Sequence, residues 1–208
     1  MKPFKLIPLA ALLALPAFAQ DHALSVLVPH VYTQKYHMGG MTIETGNPTN
    51  LGLRYAHTFA TVSKAGDARI AFEASVVKPC SKPEVSIPGP GRIGTYTHEY
   101  MALGFSSTWT KVLDFGIAAE LRHESSKVEI DSLGPTGANF TTTRYRPWAT
   151  ARVGYTLPVG KAFKPFVTAE YSLPLTNSGT THPTDPYTFY GNLRGPKSAF
   201  TVSGGLRF

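Results

Sequence analysis

The chain has 208 residues, 16% of them charged and 12% aromatic, with 19 Gly, 17 Pro and a formal charge of +7, which excludes both a soluble helical bundle and a disordered polymer. Its length accommodates one domain, and Lys and Arg are spread singly, with no basic run or basic helix, which excludes nucleic acid as the partner. Mean hydropathy is −0.08, a value that a chain alternating apolar and polar residues also produces.

Lys2 and Lys5 precede an apolar run over 6–14, which continues to Ala17-Phe18-Ala19, a small-x-small pattern before Gln20. This predicts a cleaved signal peptide over 1–19. Its apolar core is too short for a spanning helix, which takes about 20 residues. Residues 20–208 then form the mature domain, with 18 Lys and Arg against 13 Asp and Glu. The single cysteine, Cys80, has no partner in the chain, so the exported domain must hold together without disulfides. No later run of 18 apolar residues exists, which excludes transmembrane helices.

The mature sequence reads as eight strands. The first, about 24–36, is blurred in phase by Pro29. In the second, Leu51, Leu53, Tyr55, His57 and Phe59 alternate with Gly52, Arg54, Ala56 and Thr58, a period of two that places the larger side chains on one face. The third sets Ile70, Phe72, Ala74 and Val76 against Arg69, Ala71, Glu73 and Ser75, and the fourth sets Met101, Leu103, Phe105 and Trp109 against Ala102, Gly104, Ser106 and Thr108. The fifth opposes Leu113, Phe115, Ile117, Ala119 and Leu121 to Asp114, Gly116, Ala118, Glu120 and Arg122. Tyr145, Ala149, Ala151, Val153 and Tyr155 define the sixth, and Val167, Ala169, Tyr171 and Leu173 the seventh. Phe200, Val202, Gly204, Leu206 and Phe208 define the last.

Connections alternate in length. Those at 61–67, 110–112 and 158–162 are short, whereas 37–46, 79–95, 125–143 and 176–195 are long and predicted to be loops. An up-and-down eight-stranded antiparallel sheet with short turns at one end and long loops at the other is the layout of an all-β transmembrane barrel, with short periplasmic turns and long extracellular loops. An even strand number puts both termini on the periplasmic side. Alternation alone does not say which face is outside. In a lipocalin-like barrel the polar face meets water and is rich in Lys, Glu and Asp; here it is mostly Gly, Ala, Ser and Thr, which suits a narrow interior. Isolated charges on that face, Arg54, Arg69, Arg122 and Arg152 with Glu73, Glu120 and Glu170, are then expected to pair across the lumen as a plug, since an unpaired interior charge costs several kcal/mol. Tyr55, Phe59, Trp109, Tyr145, Tyr155, Phe163 and Tyr171 are expected near strand ends, where amphipathic rings favour the membrane interface.

On this architecture, and on the ending Phe200-Thr201-Val202-Ser203-Gly204-Gly205-Leu206-Arg207-Phe208, the chain resembles the small bacterial outer-membrane β-barrel family, including the transmembrane domain of the outer-membrane protein A type. The resemblance implies insertion into the outer membrane of a Gram-negative-type envelope, contact with its lipid and lipopolysaccharide, and a terminal signal, carried by Phe200, Val202, Leu206 and Phe208, that is read by the barrel-assembly machinery. It does not settle activity, because one barrel hosts adhesins, enzymes, channels and structural proteins.

One catalytic candidate is His123-Glu124-Ser125 with Glu129. The His and Ser are two apart on a strand, share a face and point towards lipid. This placement resembles the outer-membrane lipid A deacylases, but Ser126-Lys127 follows where Asn-Gly belongs. A second pair, His98-Glu99, lacks a nucleophile on the same face. No Cys or carboxylate cluster has ligand spacing, so no metal or other cofactor is expected. The segments at 79–94 and 176–195 are rich in Pro and Gly and expected to be irregular surface loops, where Lys82, Arg92, Lys127 and Arg194 could meet anionic sugar phosphates. The expectation is a non-enzymatic barrel with a structural or surface-interaction role. A narrow channel for small or apolar solutes and a lipid A hydrolase stand as alternatives.

Overall fold

The computed structural model describes residues 22–33, 36–38, 41–62, 67–131, 139–159, 163–176 and 195–208; the segment 1–19, expected to be a signal peptide, and most of 176–195 lie outside them. Eleven strands are described: β1 (His22–Tyr32), β2 (Tyr36–Met38), β3 (Met41–Thr45), β4 (Asn50–Val62), β5 (Asp67–Pro79), β6 (Glu84–Ile87), β7 (Gly91–Thr110), β8 (Asp114–Ile130), β9 (Asn139–Thr156), β10 (Lys164–Pro174) and β11 (Ser198–Arg207). Eight of these close a hydrogen-bonded antiparallel ring in the order β1-β4-β5-β7-β8-β9-β10-β11 and back to β1. Closure leaves no open side in the ring, so its strands pair with one another on both flanks as a bilayer demands. The two chain ends finish the seam at the short-turn end: His22 N–H donates to the Phe208 carbonyl at 3.0 Å, and Phe208 N–H donates to the His22 carbonyl at 2.9 Å.

The two faces of each ring strand differ as the period of two requires. On β8, Phe115, Ile117 and Leu121 point outward and are exposed, whereas Asp114, Ala118, Glu120 and Arg122 point inward and are buried. On β11, Phe200, Val202 and Leu206 are outside, with Thr201 and Ser203 inside. β1 follows the same rule: Leu24, Val26 and Val28 face out, and Ser25, Leu27, Pro29 and Val31 are buried inside. It runs over His22–Tyr32, shifted from the expected 24–36. The exterior is therefore apolar and the interior polar, the reverse of a water-soluble barrel and the arrangement of one surrounded by lipid.

The long connections are not all loops. β2 and β3 occupy most of 37–46; β6 and the start of β7 occupy 84–95; β8 continues to Ile130 and β9 begins at Asn139, so only the middle of 125–143 is a connection. β6 pairs with the start of β7, β3 with β6 and β2 with β3, forming a side sheet at the long-loop end. Ile43, Val85, Ile93, Tyr96, Val128 and Ile130 bury a small apolar core there, with Ile87 packed against it. The expectation of irregular chain at 79–94 fails because its Pro and Gly residues punctuate a hairpin. Gly89 (φ 101°) and Gly91 (φ 86°) take the left-handed conformations that turn β6 into β7. β7, β8 and β9 have 20, 17 and 18 residues, whereas crossing a bilayer takes about 9–11, so they carry the sheet well beyond the apolar band.

Candidate functional site: the barrel lumen

Inward parity brings charged side chains from five strands to one level. Arg54 (β4) donates through Nη1 to Glu170 Oε1 (β10) at 2.6 Å and through Nη2 to Oε2 at 3.0 Å. Arg152 (β9) makes the same two-pronged contact with Glu73 (β5), at 2.5 and 2.7 Å. Neither pair joins neighbouring strands: β4 and β10 are separated by β1 and β11, and β5 and β9 by β7 and β8, so both bridges cross the lumen. They are cross-linked by Arg54 Nε to Glu73 at 3.5 Å, Arg152 Nε to Glu170 at 3.2 Å and Arg152 Nη2 to Glu120 at 3.4 Å. Arg122 Nε donates to Glu120 at 3.0 Å, completing a neutral set of three Arg and three Glu. Ser106 and Ser203 hydroxyls donate to Glu73 and Glu170 at 2.6 and 3.3 Å. Opposed, hydrogen-bonded charges are the condition under which ions tolerate burial.

A second layer lies towards the long-loop end. Trp148, 1% exposed, donates from Nε1 to Glu124 Oε1 at 2.5 Å, and Arg146 Nη1 donates to Glu124 Oε2 at 3.3 Å. The Arg122 guanidinium lies 4.2 Å from the Trp148 ring centroid and 4.5 Å from that of Tyr100, stacking geometry typical of cation–π contacts. Arg146 also donates to the backbone carbonyls of Thr176 and Pro196, tying the ends of the β10–β11 connection to the plug. Trp148 and Glu124 were missed as lumen residues by sequence reasoning. The available signal was parity, since Glu124 continues the series Glu120-Arg122 and Trp148 falls between Arg146 and Thr150 on the polar face.

Arg69 does not join the plug. It is inward on β5, but its register partners are Thr61 and Thr108, whereas Glu73 pairs with Ala56 and Gly104. Four strand residues separate the two levels by roughly 13 Å, leaving Arg69 near the short-turn end. A cavity of about 80 Å³ occupies that end and stops against Arg54, Glu73, Arg152 and Glu170.

The hydrolase candidate is not brought together as a triad. Among the described residues, His123 lies against Tyr145 with ring centroids 4.6 Å apart and the rings tilted by 40°, and no hydrogen bond joins it to Ser125. The Glu129 carboxylate accepts from Lys127 and lies 3.5 Å from the Thr95 hydroxyl. That hydrogen bond from Lys127 holds its pKa below the usual carboxylate value. His98 does acquire a hydroxyl neighbour: its Nδ1 is 3.1 Å from Ser126 Oγ, itself 3.2 Å from the Tyr96 hydroxyl. His98, Ser126 and Tyr96 are all buried inside, whereas Glu99 faces out and pairs with Lys78 at 2.7 Å. No group of three or more His, Cys, Asp or Glu is gathered for a metal among the described residues.

On the outside, Phe59, Trp109, Tyr155 and Phe163 lie near the short-turn end, and Phe163 contacts Phe208 with centroids 6.3 Å apart. Tyr171 lies three residues from the long-loop end of β10, whereas Tyr55 and Tyr145 lie inside their strands. For Tyr145 the reason is that β9 continues past the apolar band. Lys82 and Lys127 meet Glu129, and Arg92 lies 3.7 Å from Glu84 and 3.9 Å from Asp131, so these cations are matched by acids. Arg194 lies outside the described residues. Cys80 is an exposed free thiol.

No protein-family model matches the chain, and no curated protein sequence matches it either. Among solved structures, the outer membrane protein OprG from Pseudomonas aeruginosa superposes with a TM-score of 0.61 at 10% identity, over 91% of this chain and 96% of that one. Neisserial surface protein A gives 0.46 at 11% identity, over 91% and 97%. Ail, the attachment invasion locus protein of Yersinia pestis, gives 0.43 at 10%, over 92% and 100%. The OprG superposition joins the closed eight-strand ring, the apolar exterior and the polar, ion-paired interior in one conclusion: the chain has the fold of the small outer-membrane β-barrel proteins.

Proposed function

We propose that this protein is a plugged outer-membrane barrel that works without catalysis, as an envelope component presenting the β2–β3–β6 side sheet and the tops of β7–β9 at the cell surface. Both termini are then periplasmic, lipid and lipopolysaccharide surround the apolar band, and Phe200, Val202, Leu206 and Phe208 serve the barrel-assembly machinery. The observation that carries the reading is the neutral set of bridges across the lumen, Arg54–Glu170 and Arg152–Glu73. It argues against a channel through the barrel axis, because a solute would have to part buried, mutually satisfied ions. A hydrolase reading has less support, since Glu129 is engaged by Lys127 and Ser125 has no His123 hydrogen bond. Fractionation is expected to recover the protein with the outer membrane, and planar-bilayer conductance is expected to equal that of protein-free bilayers. Recovery as a soluble periplasmic protein would overturn the membrane role, and reproducible conductance would overturn the plug.

A further inference from the structure

We propose that the short-turn mouth of the lumen is a binding site for a small phosphate-type oxyanion held by Arg69 and Arg207. Both residues line the cavity of about 80 Å³, together with the hydroxyl-bearing Thr58, Thr108 and Thr168. One terminal nitrogen of Arg69 is buried with no hydrogen-bond partner. A buried guanidinium N–H left unmatched is costly and points to a missing acceptor. Among the described residues, Arg207 donates through Nη1 to the Thr156 hydroxyl at 3.2 Å and lies 5.4 Å from the Phe166 ring centroid, and no hydrogen bond or ion pair joins it to a carboxylate. Asp114, the nearby carboxylate, already accepts from Thr110 at 2.7 Å and Thr156 at 2.5 Å.

The roof of the cavity, Arg54 and Arg152 with Glu73 and Glu170, is neutral, and Arg69 and Arg207 outnumber Asp114 at the mouth, which leaves the lining one positive charge in excess. Two guanidinium forks beside threonine hydroxyls suit an anion with several acceptor oxygens. At the mouth Val62 pairs with Ala68, Thr110 with Asp114, Thr156 with Phe166 and Lys164 with Arg207, whereas the β1–β4 ladder ends at His22 on His57. A cavity of about 80 Å³ suits a free oxyanion entering from the aqueous end, and the titration below separates it from a phospholipid headgroup, the other source of the same chemistry.

The full mature chain, refolded in detergent micelles, is to be titrated with inorganic phosphate at constant ionic strength, against chloride and against glycerophosphoethanolamine as a headgroup probe. The readout is the Arg side-chain N–H resonances. Saturable phosphate-specific shifts at Arg69 and Arg207 are expected, with binding on the order of tenfold weaker in Arg69→Gln and partly restored in Arg69→Lys. Equal shifts with chloride, or a folded Arg69→Gln that binds like the parent, would overturn the site. A response to glycerophosphoethanolamine alone would overturn the free-oxyanion assignment. If Arg69→Gln does not fold, the parent decides: no saturable shift at Arg69 refutes the proposal. Bilayer conductance and fractionation are independent of all these outcomes.

Discussion

Glu170 stands between two guanidiniums, accepting from Arg54 on one side and facing Arg152 Nε on the other. Replacing it by Gln removes one negative charge and leaves three buried Arg facing two Glu, one positive charge uncompensated. Glu170→Gln is expected to destabilise the folded barrel by about 3–5 kcal/mol, because breaking one partner of a buried pair exposes the cost of the other. The double replacement Arg54→Met with Glu170→Met is expected to recover much of that loss. Urea titration of refolded protein in lipid vesicles, followed by the folded-to-unfolded gel shift, measures both. The two tryptophans provide a second residue-scale test, since Trp148 is 1% exposed in the lumen and Trp109 is 45% exposed on the outer face. In vesicles of brominated lipid, Trp148→Phe should leave a strongly quenched emission from Trp109, and Trp109→Phe a weakly quenched one from Trp148. Equal quenching would contradict the assignment of faces.

At the scale of a strand, alternation decides which substitutions matter. Leu103 is 58% exposed midway along β7, and an Arg there would sit in hydrocarbon. Leu103→Arg is expected to cost about 2–4 kcal/mol near the bilayer midplane, read as a lower midpoint in the same urea titration. The β6–β7 hairpin obeys a different constraint. A Cβ at Gly91 meets nothing within 4 Å, yet φ is +86°, so the penalty for a branched side chain is conformational, about 1–2 kcal/mol. Gly91→Val is expected to loosen the side sheet and raise protease cleavage at 80–92 while leaving the ring's stability unchanged. The barrel strands were legible because each shows a period of two over many residues. β3 and β6 were not: they are short, Pro and Gly flank them, and their pairing joins Glu44 to Ser86, a contact no local pattern announces. The upper halves of β8 and β9 were also missed, because once the outward positions become polar, alternation looks like loop composition.

For the whole molecule, ring closure implies cooperative resistance to denaturation. The folded protein is expected to migrate differently before and after boiling in detergent gels, and coincident mobilities would contradict a closed barrel. Which side chains face lipid and which face the lumen follows from the chain alone, because successive residues of a strand point to opposite sides whatever it pairs with. Levels inside the lumen do not follow from it. Arg54 meets Glu170 across 116 residues of sequence, and Arg69, on the same face and equally charged, meets no carboxylate among the described residues, because strand register sets height and parity does not. The tertiary structure alone decided which charges cancel to seal the barrel and which two arginines are left at its mouth.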